Sequence, residues 1–415
     1  MLPTLRLQVP ALSARISPSV TASTLARLIA SGAAPSQADL VRVTGLSRST
    51  VAAGVRLLAD LHAIRGVGLR EAVGRGRRAE LLELDPQFGV TVILDFGARS
   101  VRVAVADLGQ QVLGSSELPI HVADGPAQAL DAALEEARRL IDLADVDEHY
   151  RVTVVGVPGP VDARAGMAVR PPIMPGWDGF DIGGHVQREL GGDVIVANDV
   201  NLRVLGEARA HDTDAPLLYV KVGTGIGGGI ATEHGELLKG ADGAAGDIGH
   251  LRTFGSDAAC SCGRSGCLEA TASVAALARE RFGETPDAVA VFLQHVREGD
   301  AGCRTQVQQA AETIGEVVAE LVHFYNPGRV LLGGELAEIS DDLLAGVRSV
   351  VYRRALPLAT RSLAIEVATL GARAGIAGGV VLGTEAALNP ERIGRLGSRL
   401  ADRQRRASLI RSSAA

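Results

Sequence analysis

Three of the chain's four cysteines, Cys260, Cys262 and Cys267, fall within eight residues, and His250 precedes them. The pattern H-x9-C-x-C-x4-C is a soft-ligand set that suits one tetrahedral zinc ion. Glycines at 255, 263 and 266 let the backbone fold tightly around such an ion. All four ligands come from one short stretch and leave no position open for water, so the metal is expected to be structural. It would then hold the flanking acids, Asp247 and Glu269, in a fixed relation. The alternative, three buried thiols beside a surface histidine, would crowd free cysteines into one stretch of a chain poor in them. Cys303, the fourth, reads as a small packing residue.

Two further stretches can do chemistry. Asn198-Asp199 follows the apolar run 194–197, which puts a carboxylate at a strand end, where site residues gather. Such a carboxylate can take a proton from a hydroxyl or simply accept its hydrogen bond; the plain alternative is a turn. Gly223-Thr224-Gly225-Ile-Gly227-Gly-Gly229 offers backbone N–H groups to a phosphate. It also reads as a tight hairpin that needs glycine for conformation alone.

The elements that must position these groups follow from the patterning. With 415 residues, 47% hydrophobic and 22% charged, the chain is long enough for two or three domains with a sizeable core. No long apolar run suggests a membrane span, and no leader pattern suggests secretion, so the expectation is a cytoplasmic protein. Residues 1–20 show no period and are expected to be mobile. From Thr21 to Leu61 three short helices follow, with Ser36 and Ser47 as caps and Gly45 at the turn between the second and third, the helix-turn-helix plan. A small hairpin wing is expected over 64–73, followed by an arginine loop. The first turn of the third helix holds Arg48, Ser49 and Thr50, with Arg56 further on; Arg75, Arg77 and Arg78 could enter a minor groove. Residues 1–85 carry eleven arginines against six acids, although the whole chain is at −6. This basic front favours an anionic partner such as DNA over a packing module with a solvated loop.

Beyond Pro86, residues 89–120 read as strand, Gly turn, strand, turn, strand, and residues 215–240 repeat the design. Two copies suggest a duplicated α/β body with a cleft between lobes. The domain reading is therefore 21–85 for a winged helix-turn-helix, 86–390 for the two-lobed body with its zinc clip, and 391–415 for a frayed C-terminal helix and tail.

Gly156-Val-Pro-Gly-Pro-Val-Asp162, Asn198-Asp199, the 223–229 turn, Ala245-Gly-Asp-Ile-Gly-His250 and the C-x-C-G-x-x-G-C-L-E run resemble the ROK family of repressors, open reading frames and kinases. The resemblance spans about residues 88–388, and the added front resembles its transcriptional-regulator branch. It implies an actin-like, ribonuclease-H-like sugar-kinase body. It also implies sugar contacts from Asn198, Asp199, Asp247, His250 and Glu269, with Asp199 as the catalytic base if the chain is a kinase. Phosphate contacts would be Gly223, Thr224, Gly225 and Gly227. The family usually has Glu where this chain has Asp247.

The first Gly turn departs further. Family kinases carry Asp-x-Gly-Gly-Thr, whereas this chain reads Asp95-Phe-Gly-Ala98-Arg99-Ser100. Phosphoryl transfer rests on positioning and charge, so ATP is not expected as a cofactor and phosphorylation should be absent or very weak. The expectation is a sugar-responsive, DNA-binding regulator, a repressor of carbohydrate genes. Its partners would be operator DNA and a sugar or sugar phosphate, in a homodimer or tetramer. A glucokinase-like sugar kinase with an accessory front domain is the alternative.

Overall fold

The structure, a computed structural model, describes residues 1–10, 17–69, 79–145, 151–211 and 215–413; in the last helix, side chains are described through residue 400 and at Asp402. Arg75, Arg77 and Arg78 lie outside the described residues. The head begins with α1 (Pro18–Ala30), capped by Ser17, α2 (Gln37–Thr44) and α3 (Arg48–Asp60). Leu25, Leu40, Val51 and Leu58 form its apolar centre. A Cβ on Gly54 would meet Leu25 Cδ1 at 2.7 Å, so glycine lets α3 cross α1 closely. The wing is β1 (Ile64–Leu69) antiparallel to β2 (Glu80–Leu84). The return strand thus lies after the arginine segment, so that segment connects the two strands instead of following a hairpin at 64–73.

The first lobe holds β3 (Val90–Phe96), β4 (Val101–Asp107), β5 (Val112–Leu118), α4 (Pro126–Ala144), β6 (Arg151–Val157), the short pair β7 (Val161–Asp162) and β8 (Met167–Ala168), α5 (Ile182–Leu190) and β9 (Asp193–Asn198). Its sheet runs β5-β4-β3-β6-β9, with β3, β6 and β9 parallel. Trp177 is buried there, donating Nε1 to Val122 O at 2.8 Å and meeting Phe96 edge-on, which makes it a core residue. Helix α6 (Asp199–Ala210) then crosses to the second lobe.

That lobe holds β10 (Leu217–Val222), β11 (Ile226–Ala231), α7 (Leu268–Ala272), α8 (Val274–Phe282), α9 (Ala288–Arg297), α10 (Ala301–Tyr325), β12 (Arg329–Gly333), α11 (Glu335–Ile339), α12 (Asp341–Arg354), α13 (Pro357–Thr360) and β13 (Ala364–Val367). Its sheet runs β11-β10-β12-β13. The expected third strand of the repeat does not form. The chain turns at Thr232–Gly235 and returns to β11 only through one bridge, Ala231 to Leu237. Cys303 is buried in this lobe's apolar core. Helix α14 (Ala374–Ala387) returns to the first sheet and packs along α6; side chains at Gly206 or Gly378 would strike the opposing backbone.

The N-terminal segment is built into this frame, contrary to expectation. Leu5 and Leu7 are buried, and the backbone of Leu5 exchanges hydrogen bonds with the Gln110 amide. Residues 1–10 therefore dock instead of remaining mobile, because two leucines at alternate positions find an apolar groove beside α14. The C-terminal segment is helix α15 (Pro390–Ser413), which packs on α1 with Ile393 buried in the shared core. No helix among the described residues is long and apolar enough to cross a membrane.

Candidate functional site

Between the lobes lies a polar cleft of about 240 Å³, lined from both sheets and by α6. Asn198 ends β9 and caps α6: its Oδ1 accepts from Asn201 N at 3.0 Å and its Nδ2 donates to Gly159 O at 2.9 Å. That cap fixes the next residue, Asp199, whose carboxylate is only 2% exposed and opens toward the cleft. Lys221, on β10, donates Nζ to Asp199 Oδ2 at 2.6 Å. Glu269, on the first turn of α7, accepts from Ile226 N at 3.0 Å, and burial pushes its carboxyl upward against that hydrogen bond. Gly225 matters here because a Cβ would collide with that carboxylate. Asp247 and His250 complete the wall from a single turn of 3-10 helix. The cleft thus brings together all five residues expected to meet a sugar.

Behind His250 stand the three sulfurs. Ligand atoms of His250, Cys260, Cys262 and Cys267 all lie within 4.8 Å of one another, with Nδ1 of His250 3.6 Å from Cys260 Sγ and Cys262 Sγ 3.7 Å from Cys267 Sγ. Such separations match the edges of a tetrahedron around one metal ion, so the donor set fits. Backbone bonds from Thr253 N to Gly266 O and from Leu268 N to Leu251 O close the loop that carries it. The doubly assigned histidine is explained by its two nitrogens: Nδ1 faces the sulfurs while the ring still borders the cleft.

The opposite end is arranged differently. Gly97 N donates to Ser100 O across the first turn, and Arg99 leans to Glu335 at 3.5 Å. Asp95, at the end of β3, is buried against Arg203 of α6 at 3.2 Å. Burial pushes the Asp95 carboxyl up, opposed by the guanidinium. Gly223, Thr224, Gly225 and Gly227 of the second turn line the cleft, although Gly227 also lets β11 approach Val200 of α6. Sequence reasoning missed Arg203 and Lys221. Arg203 lies four residues after Asp199 on one helix face, and Lys221 lies two before Gly223 on one strand face; those spacings were the available signals.

On the head, Ser47 Oγ accepts from Thr50 N at 3.1 Å and so caps α3. Arg48, Ser49 and Arg56 are exposed and Thr50 half-buried. The Ser49 and Thr50 hydroxyls both sit 2.8 Å from Ser47 Oγ. The head's core is continuous with the body: Leu25, Leu40 and Leu58 cluster with Val152, Val154 and Leu388.

The ROK family model matches residues 91–386. A xylose repressor from Caldicellulosiruptor bescii is 26% identical over 84% of this chain and 91% of its own length. A glucokinase from Halalkalibacterium halodurans is 29% identical over 69% of this chain and 92% of its own. Among solved structures, a ROK family transcriptional regulator described as a homolog of the E. coli Mlc protein covers 92% of this chain and 98% of that chain, at a TM-score of 0.73 and 23% identity. That last likeness is one of fold.

Proposed function

The chain belongs to the ROK family, and from that premise we propose that it is a sugar-responsive DNA-binding transcriptional regulator, a repressor of carbohydrate genes. The carrying observation is an exposed, capped α3 on a head whose core runs into a body with a cleft lined by the five expected sugar contacts. Relatives agree in extent: the repressor match reaches beyond the body, whereas the glucokinase match covers about the body's share. Arg48, Ser49, Thr50 and Arg56 meet the duplex from α3, joined by Arg75, Arg77 and Arg78 of the wing segment. Asn198, Asp199, Asp247, His250 and Glu269 hold the sugar, by accepting hydrogen bonds from its hydroxyls.

The metal is zinc in a structural role. Zinc–sulfur bonds of about 2.3 Å set sulfur–sulfur edges of about 3.8 Å, and a zinc–nitrogen bond of about 2.0 Å sets the nitrogen–sulfur edge at about 3.5 Å; the observed separations are 3.7 and 3.6 Å. Its ligands are His250, Cys260, Cys262 and Cys267, and its chemistry is to fasten the loop that carries His250 and Glu269. The protein acts in the cytoplasm as a homodimer or tetramer, since one recognition helix reads too few bases. Phosphoryl transfer is disfavoured because Asp199, the base it would use, already holds Lys221, and the first glycine turn carries Ala98 and Arg99.

Genomic fragments retained by the full chain, with and without D-xylose, D-glucose or N-acetyl-D-glucosamine, test this reading. Sugar should change retention, and binding should weaken with salt. Arg48→Ala should cost about 1–3 kcal/mol of DNA affinity while leaving sugar binding intact. Salt-independent or absent DNA binding would refute the proposal.

A further inference from the structure

Only two lysines occur in the chain, Lys221 and Lys239, and the 40 other Lys+Arg positions are arginine. Lys221 sits in the cleft, 20% exposed, with its ammonium 2.6 Å from Asp199 Oδ2. Asp199 is the only hydrogen-bond partner that Lys221 has among the described residues. Its other N–H donors are therefore open to the cleft. A methyl placed on Gly223 would meet Lys221 Cε at 3.8 Å. The Lys221 side chain thus passes the start of the second glycine turn and ends on the Asp199 carboxylate.

We propose that Lys221 is a sugar-contacting residue, and that the Lys221–Asp199 pair recognises one hydroxyl of an uncharged sugar. The inference rests on the sugar reading above and names the class of ligand. A hydroxyl both donates and accepts, so a carboxylate oxygen beside an ammonium offers it both partners in one place. A compact ammonium suits that task, because its donors are not tied to the planar fork of a guanidinium. The pair is neutral as a unit, and the second acid nearby, Asp95, is matched by Arg203. Arg99 and Arg102 also border the cleft and face Glu335 and Glu117, so among the described residues no cation there stands without an acid, and a sugar phosphate would have to pull one from its partner.

The test is a cycle between protein and ligand, read by titration calorimetry on the full chain. The probes are D-glucose, D-xylose, N-acetyl-D-glucosamine, the monodeoxy analogues of whichever binds, and glucose 6-phosphate. The unaltered protein should bind a neutral sugar and lose about 10- to 100-fold affinity for one deoxy analogue. Lys221→Met should lose a similar factor for the parent sugar and almost nothing more for that analogue. Lys221→Gln, which keeps a donor, should fall between, and thermal melts of both variants check folding. An equal loss across all analogues, no loss at all, or tighter binding of glucose 6-phosphate than of glucose by the unaltered protein would overturn the inference. If the unaltered protein binds no sugar in the panel, the sugar reading itself fails and this inference falls with it.

Discussion

The two ends of the cleft have diverged in what they keep free. At the end beside the His250–Cys cluster, the proposed sugar contacts Asp247 and Glu269 line the cleft, Glu269 held by the Ile226 backbone and both flanking the four candidate metal ligands. At the other end, Asp95 is closed off by Arg203, and Arg99 leans across to Glu335. Recognition survives wherever donors and acceptors keep their positions. Phosphoryl transfer also needs close backbone approach, and on the proposed reading the first turn, with Ala98 and Arg99, is where that approach is obstructed.

Removing the metal should give the largest effect. Chelation, or Cys262→Ser, releases the loop that carries His250 and Glu269, and sugar affinity should drop by more than about 100-fold with a lower melting temperature. Calorimetry alongside elemental analysis checks it, and an unchanged sugar affinity would erase the contrast between the ends. Next, Arg203→Met should destabilise the fold by about 3–5 kcal/mol, because it leaves Asp95 buried without its cation. The double variant Arg203→Met/Asp95→Asn should recover most of that loss in urea unfolding; failure to recover would mean that Arg203 acts through other contacts. The smallest effect belongs to Asp247→Glu. Asp247 is exposed on the cleft wall, so one added methylene should change the preference among sugars only a few-fold, seen as altered affinity ratios in the same titrations.

Much of the metal end was legible because its parts are close in sequence. Cys260 to Cys267 is one turn-rich stretch, and the capped helices of the head follow local rules as well. The other end is written in long-range pairs. Asp95 and Arg203 are 108 residues apart, and no periodicity announces that they meet. The same holds for the N-terminal segment. Arg6 pairs with backbone groups near residue 209, and Gln8 with Glu385, so a stretch with no pattern of its own acquires structure from distant helices. The wing was placed too early because Ile64 to Val73 alternates well enough to suggest both strands. The true return strand lies beyond the arginines, where Leu82 and Leu84 pack into the head.

The apolar seam between head and body fixes which parts move together. Buried Arg27 of α1 reaches the carbonyls of Gln8 and Glu385, while Gln8 also bonds Glu236 of the second lobe. Swinging the head on a hinge would strip Leu25, Leu58 and Leu388 of their neighbours, an outcome that water opposes. The head is therefore a stiff bracket on the first lobe, and in any paired assembly the reach between two brackets is dictated by how their first lobes face one another.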